Sequence, residues 1–356
     1  MAATAQAPQT EDMIMKDAPA PISVKKHGMT ATWHHDDPST WSVFQKALIR
    51  QNLLQQQTNT PKPPVHEKTD KVPHYPVYKQ WMWIIPRAII SISVHRLFME
   101  LTGKTFHPIF AFFFYTISYK LFSSASIRTF NRLGQKYGYF DGAHPRDGVP
   151  DEHVTRVVLS TLKTLSIRPL FASFLFYDRN EKPSLSIWFP VQMFAYSVVL
   201  DFWFYLYHRA MHEIPWLWKF HRLHHTTKHP NPLLSGFASD EQEWGDTLVI
   251  PLLTWLVLRF DFTTWFMANQ MIVYAETFGH SGVRLYAQAP MAGYILQYFG
   301  MDLCLEDHDL HHRYGWKNST NYGKQTMMWD TLLGTARERI ECKADNIDWV
   351  NTADTK

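Results

Sequence analysis

Histidine constrains this chain more than any other residue. His208 and His212 stand four apart, and His221, His224 and His225 follow within the stretch Tyr207–His229. A third set, His308, His311 and His312, lies far downstream, and ten of the 19 histidines fall between residues 208 and 312. Helical residues three or four apart share a face, so each set is expected to aim its imidazoles at one point. Imidazole is a common metal ligand that titrates near neutrality, and a buried cluster is costly unless metal or solvent satisfies its nitrogens. Whatever the fold, it must bring these remote segments together. The expectation is a polyhistidine metal site.

Glu276 and His280 repeat the four-residue spacing and are expected to add an oxygen and a nitrogen to that site. Asp201 precedes His208 by seven residues and so lies on its face. Ligand histidines usually give their second N–H to a carboxylate or carbonyl, and Asp201 is the expected acceptor. Nine histidines and one glutamate exceed what one ion can hold, whereas two ions at about four or five ligands each would use them all. Imidazole-rich sets with a carboxylate favour Fe(II), with Zn compatible with the same donors. The zinc-protease pattern HExxH is absent, because Arg209 follows His208.

The rest of the chain reads as membrane protein. It is 46% hydrophobic and 15% aromatic, with 14 Trp, which suits one large apolar domain. A mean hydropathy of -0.26 is low for repeated crossings, but a polar N-terminal region and the His-rich segments pull it down. The stretches 81–101, 106–122, 157–177 and 185–207 are each near the length of a span, and Trp and Tyr crowd their ends. Residues 247–275 are broken by Arg259 and Asp261 and read as a hairpin or interfacial pair. The basic stretch 123–156 is expected in the cytosol, which returns His208 to the cytosolic side after two further crossings. The fold class is therefore all-α, a polytopic helical membrane domain with a cytosolic-side histidine-rich cap for two metals. Residues 1–75 are expected to be a polar, disordered tail, 76–184 membrane helices and a cytosolic loop, 185–340 the histidine-box domain and 341–356 a C-terminal tail. No signal peptide is visible at the start of the sequence. A net charge of +3 gives no support to nucleic-acid binding. Cys304 and Cys342 cannot form a disulfide framework. His229, followed by Pro230, reads as a loop residue rather than a ligand.

The segments HRAMH, HRLHH and HDLHH, in this order, match the three histidine boxes of the fatty acid hydroxylase/sterol desaturase superfamily, which residues 185–340 resemble. ETFGHSG around His280 and NYGKQTMMWDTLLGT at residues 321–335 are similar to its further landmarks. The resemblance implies a multi-pass enzyme of the endoplasmic reticulum membrane that uses O2 at a non-haem di-iron centre on the cytosolic side. Electrons would come from a cytochrome b5-type donor and its reductase. It implies His208, His212, His221, His224, His225, His280, His308, His311 and His312 as ligands, with Glu276 less secure because some members have His there. It also implies attack on an unactivated C–H bond of a sterol, sphingoid or fatty acyl lipid. Hydroxylation is the first reading, because ETFGHSG and the sequence after HDLHH look closer to methylsterol oxidases and sphingoid hydroxylases. Desaturation on the same centre is the second reading. A membrane protein binding Zn without catalysis is the third. After HRLHH the chain lacks the His-Pro of many sterol-acting members, which leaves the lipid class open.

Overall fold

The computed structural model describes residues 29–55 and 61–355. The elements in chain order are α1 (Val43–Arg50), β1 (Val72–Pro73), α2 (Val77–Thr102), α3 (Pro108–Tyr137), α4 (Val154–Leu175), α5 (Phe189–Glu213), α6 (Pro215–His221) and α7 (Asp240–Trp244). After these come α8 (Ile250–Leu258), α9 (Phe262–Gly279), α10 (Gly293–Leu296), α11 (Leu305–Tyr314), α12 (Met328–Leu332) and β2 (Ile347–Asp348). The protein is mostly helical, and its named strands are a two-residue parallel pair joining Val72 to Ile347.

The long helices form hairpins whose turns gather at one end. The first hairpin is α2–α3, where Gly103 ends α2 in the left-handed region (φ 65°) and His107 caps α3 through Nδ1. The second is α4–α5. The third, α8–α9, turns where Arg259 (φ 50°) closes α8 and Asp261 accepts from the Thr264 backbone N–H at 2.9 Å to start α9. The turns touch: Arg179 Nε donates to Thr105 Oγ1 at 3.1 Å, and the Tyr177 hydroxyl donates to the Phe106 carbonyl at 3.2 Å. The C-terminal end of α5, with His208 and His212, lies at the far end of its hairpin from these turns. At the centre runs α9, buried without a break from Phe262 to Tyr274. A helix so largely apolar belongs inside a core, and its few polar side chains, Asn269 and Gln270 among them, are buried there as well.

Two helices, α2 and α5, are long and apolar enough to cross a membrane. The segments expected as the other crossings do form α3 and α4, but charged residues such as Lys120 and Arg128 in α3, and Lys163 and Arg168 in α4, dilute their apolar runs. The first part of the stretch expected as a cytosolic loop, residues 123–137, is instead the second half of α3, which ends at Tyr137 and is capped by Gly138. Arg128, Arg132 and Lys136 therefore form a helical stripe. A broad apolar face stays uncovered on α2 and α3, including Ile90, Leu101, Phe113 and Leu121. Exposed apolar patches of this extent mark an interaction with lipid or protein.

Part of the expected N-terminal tail is ordered, which corrects that reading for residues 29–55 and 61–75. Trp33, Leu48 and Leu53 pack into a buried cluster with Ile127, Val157 and Leu234, and α1 starts from a capping box of Ser42 and Gln45. Residues 1–28 and 56–60 lie outside the described residues. The C-terminal stretch is tied down as well, through Ile347 on Val72 and a buried Glu341–Arg284 ion pair at 2.7 Å.

Candidate metal centre

The eight box histidines and His280 are all buried, none more than 6% exposed. They form two groups rather than one group per box. His208, His212, His221, His225 and His311 bring one ring nitrogen each within 4.8 Å of one another. His224, His280 and His312 make a second such group, and His308 joins its edge with Nε2 3.2 Å from His280 Nε2. This corrects the expectation that each set aims at one point. Partners four residues apart stay together, as in 208/212, 221/225 and 308/312. The middle histidine of each HxxHH set crosses over, His224 to the second group and His311 to the first. Neighbouring residues on a helix diverge by about 100°, so an HH pair straddles both groups. His224 and His225 also sit in a 3₁₀ turn after α6 has ended at His221.

The outer nitrogens are fixed. Nδ1–H of His208, His212, His224, His280, His311 and His312 can donate to the carbonyls of Tyr322, Trp316, Phe237, Glu276, Thr320 and Thr227 at 2.6–3.0 Å. His221 Nδ1 faces Gln242 Oε1 at 2.9 Å. A neutral ring that donates from Nδ1 presents a bare lone pair at Nε2. These lone pairs converge: Nε2 of His208 and His221 lie 3.0 Å apart, and His225 Nε2, on a ring whose Nδ1 is buried without a partner, lies 3.0 Å from that of His221 and 3.1 Å from that of His311. In the second group the His224 and His280 Nε2 atoms are 3.3 Å apart.

Two such lone pairs cannot share a hydrogen bond. Nitrogens about 2.1 Å from one ion and about 90° apart would sit about 3.0 Å from each other, which is the spacing observed. Nε2 of His212 and of His312 are buried without any hydrogen-bond partner, one in each group. Burial first, then repulsion from neighbouring rings, holds His221, His225, His308 and His312 well below the ordinary histidine range. Burial also brings His224 down to about 4. Rings kept neutral at physiological pH are in the form that binds metal. The donor set therefore fits two metal ions.

Asp201 has a different task from the expected one. Its carboxylate accepts from the backbone N–H of Lys324, Gln325 and Thr326 at 2.7, 2.8 and 3.1 Å, and from Thr326 Oγ1 at 2.7 Å. It does not take the His208 N–H, which the Tyr322 carbonyl accepts. Asp330 holds the preceding residues, accepting from Tyr322 N and Gly323 N at 2.8 and 2.7 Å. The two carboxylates thus clamp the segment that supplies carbonyls to His208 and His311.

Glu276 also departs from expectation. It belongs to neither histidine group, and its carboxylate pairs with Arg168 at 3.1 Å and Lys324 at 3.4 Å. Its contribution to His280 is the backbone carbonyl. His229 stays outside the centre too, forming a small set with Asp141 and His144. Three contributors escaped sequence reasoning. Gln242 stands between two glutamates and carries no motif, while Arg168 and Lys324 are lone cations remote from the boxes.

The sequence comparisons agree with this geometry. The family model described as fatty acid hydroxylase matches residues 193–335. The chain is 38% identical over 319 residues to the fatty acid hydroxylase vlmA of a Lecanicillium species, covering 82% of this chain and 87% of that protein. It is 32% identical over 181 residues to the very-long-chain aldehyde decarbonylase GL1-11 of Oryza sativa subsp. indica, covering 49% of this chain and 64% of that protein. It is 28% identical over 176 residues to the methylsterol monooxygenase erg25A of Aspergillus fumigatus, covering 45% and 54%. No solved structure matches the chain.

Proposed function

The chain belongs to the fatty acid hydroxylase family, and from that premise we propose that it is a membrane-bound, O2-dependent lipid hydroxylase with one iron ion in each histidine group. The observation that carries this reading is the convergence of bare Nε2 atoms whose rings are already committed at Nδ1. Bound iron would supply the activation of O2 and the removal of hydrogen from an unactivated C–H bond.

The ligands of the first ion would be His208, His212, His221, His225 and His311, and those of the second His224, His280, His308 and His312. The protein's own part is threefold. Backbone carbonyls hold six of the rings and Gln242 holds His221 in register, as such partners do in metal sites generally. Burial keeps bulk water from both groups. The ion pairs of Glu276 with Arg168 and Lys324 fix α9, α4 and the 324–326 segment around the second group.

Hydroxylation of R–H by O2 gives R–OH and water and consumes two electrons and two protons. A cytochrome b5-type donor and its reductase are the proposed source. The proposed location is the endoplasmic reticulum membrane with the histidines toward the cytosol, supported by the basic residues Arg128, Arg132 and Lys136 at the end of α3 away from its hairpin turn. A glycosylation acceptor placed near residue 181 should then be modified, and one near 230 should not.

The chemical test uses purified full-length protein loaded with iron, a reductant system, candidate lipids and isotopically labelled O2. A product heavier by one labelled oxygen supports hydroxylation, whereas a product lighter by two hydrogens supports desaturation. Fully iron-loaded protein that yields no O2-dependent product from fatty acyl, sphingoid or sterol lipids would refute the enzyme reading.

A further inference from the structure

We propose that the groove between α2 and α3 is a phospholipid headgroup site, in which Arg87, Arg128 and Arg132 hold the phosphate of a membrane lipid. The proposal rests on the chain lying in a membrane and not on its metal chemistry. The groove opens into a cavity of about 370 Å³ lined by these three arginines, by Asn131 and Gln135 and by the N-terminal residues Asn52, Leu54 and Gln55, with no acidic residue among the described residues of its wall.

The guanidinium groups have donors to spare. Arg128 reaches the Gln51 carbonyl at 3.5 Å, Arg132 reaches Thr129 Oγ1 at 3.4 Å, and Arg87 donates to the Trp83 carbonyl at 2.8 Å. Each group carries five N–H donors, and among the described residues no carboxylate pairs with any of the three. Arg87 is held over the Trp83 ring at 4.4 Å, which leaves its orientation set before any ligand arrives.

The sequence of exposed residues along both helices identifies the ligand as amphipathic. On α3 the outward face runs Phe113, Ile117 and Leu121, each more than half exposed, and then changes to Arg128 and Arg132. On α2 the residues Ile90, Val94, Leu97 and Leu101 are exposed at helical spacing, and Arg87 continues the same stripe one turn before Ile90. The two helices are antiparallel, so moving away from the hairpin turn the α3 stripe changes to Arg128 and Arg132, and the α2 stripe changes to Arg87 midway along that helix. Seven residues of helix separate Leu121 from Arg128, a rise of about 10 Å. An acyl chain lying on the apolar stripe would bring its own headgroup to the arginines. Arginine matches phosphate oxygens with paired N–H donors, and basic pockets between membrane helices bind anionic headgroups in general.

The test measures binding to full-length protein in a neutral detergent by the rise in its unfolding temperature. The probes are dioctanoyl phosphatidic acid, dioctanoylglycerol, inorganic phosphate and coenzyme A. Phosphatidic acid is expected to bind most tightly, with the uncharged glyceride and the two soluble phosphates at least tenfold weaker. Arg128→Gln combined with Arg132→Gln should weaken phosphatidic acid at least tenfold, and Arg87→Gln should weaken it separately. All three side chains are exposed, so the variants are expected to fold. Equal binding of phosphatidic acid to wild type and the double variant would overturn the site. Equal binding of dioctanoylglycerol would overturn the role of phosphate, and equal binding of inorganic phosphate or coenzyme A would overturn the lipid. Metal content in the same samples is expected to stay unchanged, so failure of the histidine reading would show there and not in lipid binding.

Discussion

Replacing Asp201 with asparagine keeps its shape and changes one acceptor into a donor. The carboxylate, fully buried in α5, accepts four hydrogen bonds from residues 324–326. If the remaining oxygen keeps the Lys324 and Gln325 amides, the new NH2 faces the Thr326 N–H, while the Thr326 hydroxyl can turn to accept. One buried donor is then left unsatisfied, at a cost of about 1–3 kcal/mol. The same clamped segment carries Tyr322 and lies next to Thr320, whose carbonyls hold His208 and His311 at 2.7 Å each. If the whole cost falls on the metal-bound state, affinity at the first group drops about 5- to 150-fold. The second group contains neither ring and should keep its ion. Iron analysis after dialysis against a graded chelator series would therefore show one of two ions lost early in the Asp201→Asn variant. Asp201→Ala, which removes all four acceptor contacts, should lose it earlier still. Unchanged chelator resistance of both ions would refute the clamp, as would equal loss from both groups.

Glu276→Gln should retain both metals yet lower the unfolding temperature, because breaking a buried ion pair from one side costs about 3–5 kcal/mol; Glu276→His should not improve on it, and selective metal loss that only His repairs would restore Glu276 as a ligand. Gly282→Ala should destabilise by at least about 1–3 kcal/mol, since Gly282 has φ 59° and a Cβ there would lie 2.1 Å from the Arg146 guanidinium. That guanidinium is pinned by Asp309 at 2.9 Å and by the Pro230 carbonyl, and an unshifted denaturation curve would show it free to move. The metal-free protein should lose stability on acidification, because His224 is held at about 4 by burial against 6.5 in the unfolded chain. Below pH 6.5 the unfolded state takes up the proton first, so stability is full above that value and falls toward pH 4 by at most about 1.4 kcal/mol per pH unit for each such ring. Denaturation midpoints that stay flat between pH 7 and pH 5 would contradict this.

The nine histidines were legible because their spacing is a local property and their number leaves few other uses. Their division between two groups was not, because it depends on how HH pairs are shared between elements more than eighty residues apart. Asp201 shows the same limit from another side. Its seven-residue spacing from His208 is real, but three backbone amides more than a hundred residues later claim its oxygens. Backbone carbonyls fix six of the rings, and a carbonyl has no residue signature to read. Glu276 stands four before His280, yet its side chain turns to Arg168 on α4. The order in residues 29–55 was hidden because Trp33, Leu48 and Leu53 are few, and their partners on α3, α4 and the 233–237 segment are remote.

The most direct measurement of the central claim is metal stoichiometry in full-length protein and in two variants, His212→Ala and His312→Ala. Each removes one ring whose Nε2 is buried without a hydrogen-bond partner, one from each group. The account predicts about two iron ions in the wild type, about one in each single variant and almost none in the double, with turnover lost in all three. Loss of both ions from either single variant would contradict two separate sites, and full iron content in the double variant would remove the histidine centre altogether.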